Sequence, residues 1–417
     1  MSPSNEPVAS VPAAVPGFFP LDEQLALLPG KLTPQLHGWL VRLSAWMPFA
    51  RAAELLTEFT RVPISEATAR RLTHAAGAAA VVLQTAEVER IERDYPSAPV
   101  QPERVVLSVD GAMVPLVQGE WAEVKTLAIG EPTATADAPQ VAALSYFSRL
   151  ADAETFGHLA LAETHRRGVA AATAVAAVSD GAEWIQGFLD LHCDAATRIL
   201  DFAHAAQRVG EIGQALWGEQ TRAAQQWIED QLHRLKERGA QPVIATLQQV
   251  QRDHPEVKLL STNLAYLEKR EGQMAYPEYR AAGWPIGSGM VESANKLVVE
   301  ARLKGSGMHW ARAHVDGMLA LRNLVCSGRW QTDWLRITQA RRPRVGARRH
   351  ARLVRKVAQE QAAVLARLRA SRPPRPQALP PTAPGGPSRP APNHPWRRAF
   401  QPHMRERKSS CMAPTKL

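Results

Sequence analysis

Four acids in this sequence stand where an extended run gives way to a turn or where a helix begins. Asp110 follows the apolar run at 104–109 and precedes Gly111. Asp180 follows a second apolar run at 172–178 and precedes Gly181. Asp201 closes a short run at 197–201, and Glu292 sits just after a turn-rich entry containing Gly283, Pro285, Gly287 and Gly289. Glycine beside Asp110 and Asp180 lets the chain turn away and leave the carboxylate open. Carboxylates gathered from separate elements offer hard oxygen ligands, which suit Mg²⁺. Two such ions ~3.5–4 Å apart can activate a nucleophile and stabilise the leaving oxygen of a phosphodiester.

The elements that must position these acids follow from hydrophobic period. Strands are expected at 104–110, 123–129 and 141–146, then a helix at 152–165, a strand at 172–178, a helix at 183–192 and a strand at 197–201. Helical periodicity then runs to about residue 276 and returns after the glycine-rich turn. There Ala294, Leu297, Val298 and Ala301 are expected to face the core, with Glu292, Asn295, Lys296, Val299 and Arg302 opposite. A last helix is expected at 311–326. Three strands, a helix, a strand, a helix and a strand is the order of a ribonuclease-H-like α/β fold, here at 101–335 with a helical insertion at 205–282. In that fold the first strand is central and the fourth lies beside it, so Asp110 and Asp180 would face each other. Asp201 is the rival second acid, one strand further out. Lys296, Arg302 and Lys304 are expected to meet phosphates, and Trp310 is either core or a base-stacking platform.

The flanking segments have different composition. Residues 1–19 are rich in Pro, Ala and Ser and are expected to be disordered. Residues 20–98 read as a helical, helix-turn-helix-like DNA-binding domain. A helix near 49–59, a turn at 60–63 and Ser65 as N-cap of the next helix would present Thr68, Arg70 and Arg71 to a major groove. A linker at 94–103 carries Pro96, Pro99 and Pro102. Residues 341–417 form a basic, Pro-rich tail, expected to be disordered apart from one helix near 352–369.

Composition narrows the function classes. The 417 residues are 45% hydrophobic, enough for a real core, and a formal net charge of +10 suits a polyanionic partner. Cys193, Cys326 and Cys411 are widely spaced in no metal-ligand pattern, which argues for a reducing compartment without structural zinc or disulfide. No apolar run reaches the ~18 residues of a membrane span, and no leader-like segment opens the chain, so a soluble intracellular protein is expected.

Several motifs carry a more specific likeness. Asp110-Gly-Ala-Met-Val-Pro, Gly119-Glu-Trp-Ala-Glu-Val-Lys, Ser179-Asp-Gly-Ala-Glu-Trp, Asp201-Phe-Ala-His204, Gly287-Ser-Gly-Met-Val-Glu-Ser-Ala-Asn-Lys and Arg302-Leu-Lys-Gly-Ser-Gly-Met-His-Trp310 together span most of residues 104–334. In them the chain resembles ISKra-type bacterial insertion-sequence transposases, of the Mutator-like DDE superfamily. The resemblance implies Asp110, Asp180 and Glu292 as catalytic, metal-binding acids for two Mg²⁺ ions, with Mn²⁺ able to substitute. It implies that Asp201 and His204 match the family's acid-or-Cys, two residues, His motif. It further implies an enzyme that binds terminal inverted repeats and target DNA, cleaves and transfers strands, and acts as a homo-oligomer on DNA in the bacterial cytoplasm and nucleoid. The competing readings are a catalytically silent, transposase-derived DNA-binding protein and a metal-dependent nuclease without strand transfer. Acids intact at all three positions argue against silence.

Overall fold

The architecture follows from one buried strand. In the computed structural model, which describes residues 32–133 and 139–370, β1 (Arg104–Pro115) is the centre of a five-stranded sheet in the order β3-β2-β1-β4-β5. β2 (Trp121–Thr133) and β3 (Gln140–Arg149) continue antiparallel on one side. β4 (Ala174–Ser179) and β5 (Thr197–Leu200) run parallel on the other. Val105, Val106, Leu107 and Val109 are buried, so β1 is apolar on both faces, as a central strand covered on both sides must be.

β1 is longer than its sequence suggests. It was expected to end at Asp110, because Gly111 looks like a turn. It runs on to Pro115, paired with β2 from Val106↔Gly130 to Pro115↔Trp121, because Ala112 and Val114 also bury their side chains. Gly111 serves the Glu123 carboxylate instead, which occupies the space a Cβ would take.

Alternation along the strands divides the core. Val105, Leu107 and Val109 pack with Phe156 of α4 (Ala153–Arg166) and with Ile185, Phe188 and Leu189 of α5 (Glu183–Cys193). Val106, Ala176 and Val178 face a cluster built by α6 (Phe202–Trp217), α7 (Arg222–Arg238), α8 (Ala240–Asp253), α9 (Lys258–Lys269) and α10 (Tyr276–Ala281), the expected helical insertion. Ala112 and Val114, on the same face further along, pack against α11 and α12 (Arg312–Cys326). Here α11 denotes the continuous helix made of Gly289–Ala294, the π-helical Asn295–Glu300 and Ala301–Leu303.

The N-terminal helices are α1 (Pro34–Trp46), α2 (Phe49–Thr60) and α3 (Glu66–Asp94). α2 ends at left-handed Arg61, and Ser65 caps α3, its Oγ accepting from Thr68 N at 3.3 Å, as the sequence suggested. α3 packs closely on α12. Gly77 touches the Gly317 backbone so tightly that a Cβ would collide with the Gly317 carbonyl. The division expected near residues 98–101 therefore falls inside one compact unit that extends to Leu353. The final helix, α13 (Trp330–Ala370), continues through the start of the expected tail. The tail at 371–417 and the N-terminal stretch at 1–31 lie outside the described residues. Among the described residues, no helix is long and apolar enough to cross a membrane.

α1 and α13 meet at a buried histidine with a consequence for pH. His37 is 1% exposed, and its Nε2 lies 3.2 Å from Arg341 Nη1. An arginine only donates, so Nε2 must stay an acceptor. Burial, reinforced by Arg341, lowers the His37 pKa to about 4. The unfolded chain takes up this proton near pH 6.5 and the folded chain does not, so stability falls as pH drops from about 6.5 towards 4, by up to ~1.4 kcal/mol per unit. His204 works in the opposite sense, since its pKa is raised. The variant His37→Gln keeps an acceptor for Arg341 and should lose less of its thermal midpoint between pH 7 and 5 than the wild type does.

Candidate active site

Asp110 stands where β1 loses its parallel neighbour. The β1–β4 pairing ends at Leu107↔Ala177, and β4 itself stops at Ser179. Beyond that point the chain turns through Asp180 and Gly181, the latter in the left-handed region at φ 78°. A gap opens beside β1, with Asp110 on one side and the Asp180 turn on the other. The two are close enough to sense each other. Burial, and with it the charge on Asp180, raises the Asp110 pKa above the ordinary carboxylate value. Asp110 Oδ1 accepts from Gly111 N at 2.7 Å, and Oδ2 accepts from Asn295 Nδ2 at 2.9 Å. Asp180 Oδ1 accepts from Ala182 N at 2.8 Å.

Asp201 is placed differently. It follows β5, caps α6 and is fully buried. Four donors converge on it: Ala203 N at 3.2 Å, Ser288 N at 3.2 Å, Ser288 Oγ at 2.9 Å and His204 Nδ1 at 2.8 Å. Burial alone would raise its pKa, but the bonds from His204, Ser288 and Ala203 outweigh it and hold the carboxyl below its usual value. Because a carboxylate only accepts, His204 donates from Nδ1 and turns Nε2 outwards. The Asp201 hydrogen bond raises the His204 pKa, with smaller contributions from Asp180 and Asp110. His204 thus shares the electrostatic neighbourhood of both acids.

Ser288 joins this group to α11. Besides Asp201, its Oγ lies 3.5 Å from Glu292 Oε1. Glu292 is exposed in the first turn of α11. Asn295, three residues on, is buried and donates to Asp110 on β1. Sequence reasoning missed Ser288 and Asn295 as site residues. The spacing of Asn295 from Glu292 put both on one stripe, but Ser288 lies between two glycines in the turn, where no period marks it.

The cationic candidates separate. Arg70 and Arg71 are exposed near the start of α3, with Arg70 bonded to Glu66. Thr68 is half-buried and bonded to Ser65 Oγ at 3.1 Å. Lys296 is exposed, and Lys304 pairs with Glu300 at 2.8 Å. Arg302 points inwards: it is 2% exposed, donates from Nε to Ser44 O at 2.9 Å, and lies 4.9 Å from the ring centres of both Phe49 and Trp310. Burial lowers its pKa to about 10. Trp310 is buried as well, in a short bridge with Leu116. Neither side chain meets solvent, so neither offers a face to DNA in this arrangement.

Asp110, Asp180 and Asn295 offer oxygen donors at the gap. Asp110 and Asp180 supply carboxylates whose mutual repulsion a hard cation would relieve, and Asn295 Oδ1 is buried without a hydrogen-bond partner. Those residues fit Mg²⁺ or Mn²⁺ by type. Glu292 hangs from Ser288 at the rim, and among the described residues no three His, Cys, Asp or Glu are already gathered as a cage. Compared with known proteins, the chain matches no family model and no curated protein.

Proposed function

We propose that this chain is a DNA transposase with a ribonuclease-H-like catalytic domain, of the ISKra-type group that its motifs resemble. The observation that carries the reading is Asp110 of the central strand facing the Asp180 turn of the adjacent parallel strand, with a helix bearing Glu292 tied to Asp110 through Asn295. The strand order, with β1 central and β4 beside it, supports the ribonuclease-H-like assignment.

Asp110, Asp180 and Glu292 are the three catalytic acids in this reading. Asp180 is preferred to Asp201 because the Asp201 carboxylate is consumed by four donors inside the protein. Asp110 and Asp180 would hold the cations, with Glu292 completing the set. When bound, Mg²⁺ supplies activation of the attacking water and neutralises charge on the leaving 3′ oxygen. Asn295 orients Asp110, and Asp201 with Ser288 fixes where α11 begins. Arg70, Arg71 and Lys296 present exposed charge to terminal-repeat and target DNA.

The direct test is duplex DNA carrying the inverted repeats that flank the gene, incubated with the full chain in Mg²⁺. Nicking at the repeat end, followed by joining of the freed 3′-OH to a second duplex, is expected. Binding without nicking would overturn the enzyme in favour of a silent DNA-binding protein, and nicking without joining would leave a nuclease. The paired variant Arg70→Ala/Arg71→Ala should lose preference for the repeats over scrambled DNA, while its salt-dependent affinity for scrambled DNA falls only by the share of two phosphate contacts. Equal loss on both DNAs in a gel shift would remove α3 as the reading element.

A further inference from the structure

The helices inserted between β5 and α11 reach back to the site. α9 carries Tyr266, and Arg270 is the residue that caps its C-terminus, four positions on and so near the same face. Tyr266 Oη donates to the carbonyl of Asp180. Arg270 donates to the carbonyl of Gly181 from both Nε, at 3.0 Å, and Nη2, at 2.6 Å, while its Nη1 reaches Tyr266 O at 3.2 Å. The guanidinium lies 3.9 Å from the centre of the Tyr266 ring, and Arg208 of α6 stands over the same ring at 4.9 Å. Arg270 is only 8% exposed. It fills the space where a side chain at Gly181 would begin, since a Cβ there would collide with its Nε. Lys269 adds an outer tie to Glu183 at 2.7 Å, just past the turn.

These contacts fall on the carbonyls of the Asp180–Gly181 and Gly181–Ala182 peptides, and the second of these peptides gives its N–H to Asp180 Oδ1. Two successive carbonyls in a tight turn cannot be satisfied by the sheet, and left unpaired in a buried place they would cost free energy. A five-donor planar group suits such a carbonyl better than a lysine does. Resting on the function proposed above, we infer that Tyr266 and Arg270 are positioning residues that fix the Asp180–Gly181 turn for cation binding. The inserted helices are therefore part of the active site's support.

The test uses the metal-free full chain and then Mn²⁺ alone. Tyr266→Phe and Arg270→Gln are each expected to speed amide exchange of residues 180–183 by about tenfold, with β4 and α5 still protected. Mn²⁺ affinity, read by electron paramagnetic resonance, should weaken by about tenfold in each, with Arg270→Lys intermediate. Unchanged exchange at the turn overturns the clamp, as does faster exchange with wild-type Mn²⁺ affinity. Should Arg270→Gln loosen the whole unit, Tyr266→Phe decides, since it deletes one hydroxyl. A wild type that binds no Mn²⁺ overturns the proposed function and the catalytic meaning of the clamp together, while the exchange arm still reports whether the clamp holds the turn.

Discussion

Asp110→Asn, Asp180→Asn and Glu292→Gln are each expected to reduce Mg²⁺-dependent cleavage of repeat-end DNA by roughly 10³-fold or more, the scale seen when a member of a catalytic unit is removed. DNA affinity should barely change, because the exposed cations lie elsewhere. Stability separates the acids further. Asp110 is held in a buried place beside Asp180, and its pKa is raised. A neutral isostere removes that repulsion, so Asp110→Asn should melt no lower than the wild type, and higher if the repulsion dominates. Asp201→Asn must do the opposite. Placed at Oδ1, its amide nitrogen would meet the backbone donors of Ala203 and Ser288 and leave them unpaired at a cost of ~1–3 kcal/mol each; placed at Oδ2, it would lose the bond from His204 Nδ1. Cleavage kinetics and thermal melting of the full chain, run side by side, check both. Full cleavage by Asp180→Asn with none by Asp201→Asn at a temperature where both are folded would reverse the choice of second acid.

How much of this was legible in the sequence depends on how local the cause is. The Ser65 cap, the start of α4 at Asp152, β4 with its glycine exit and the helical run after β5 follow from neighbours a few residues away. The end of β1 was not legible, because Gly111 is spent on a residue of the facing strand. α11 shows the limit most clearly. A regular 3.6-residue period assigned Val299 and Arg302 to solvent and Leu297 to the core. The helix instead widens into a π turn over Asn295–Glu300, which slips its later residues around the axis. Val299 and Arg302 are buried and Leu297 is exposed as a result. Nothing in the local sequence announces a π turn; the side chain that meets its carbonyls lies on another helix.

Arg322 holds two carbonyls of that turn, and replacing it should have the second large effect. Arg322 of α12 is fully buried and has no carboxylate partner among the described residues. It donates from Nε to Val298 O at 3.1 Å, from Nη1 to Ala45 O at 3.0 Å and from Nη2 to Leu297 O. Ala45 lies in the last turn of α1, where carbonyls lack helical partners, and Leu297 and Val298 lie in the π turn. One planar guanidinium therefore joins α1, α11 and α12 through three backbone carbonyls. Burying that charge is itself unfavourable, and its pKa is lowered by burial. Arg322→Met would relieve that cost but remove three hydrogen bonds to interior carbonyls. At ~1–3 kcal/mol each, their loss outweighs the relief and takes a large part of the ~5–15 kcal/mol that typically holds a domain together. A fall in thermal midpoint on the order of 10 °C is expected. Arg322→Lys, with one nitrogen for three acceptors, should recover only part of it. Below its melting range the Met variant should still cleave poorly, because a π turn released to regular helix rotates Asn295 and Glu292 relative to the packed residues Arg302 and Leu303. Loss of Asn295 from Asp110 is then readable as a shift of the Asp110 carboxyl titration in nuclear magnetic resonance spectra. Since the Asn295 bond lowers the pKa of Asp110, its loss should move that pKa further up. A Met variant that melts, titrates and cleaves like the wild type would show that α11 keeps its π turn without Arg322.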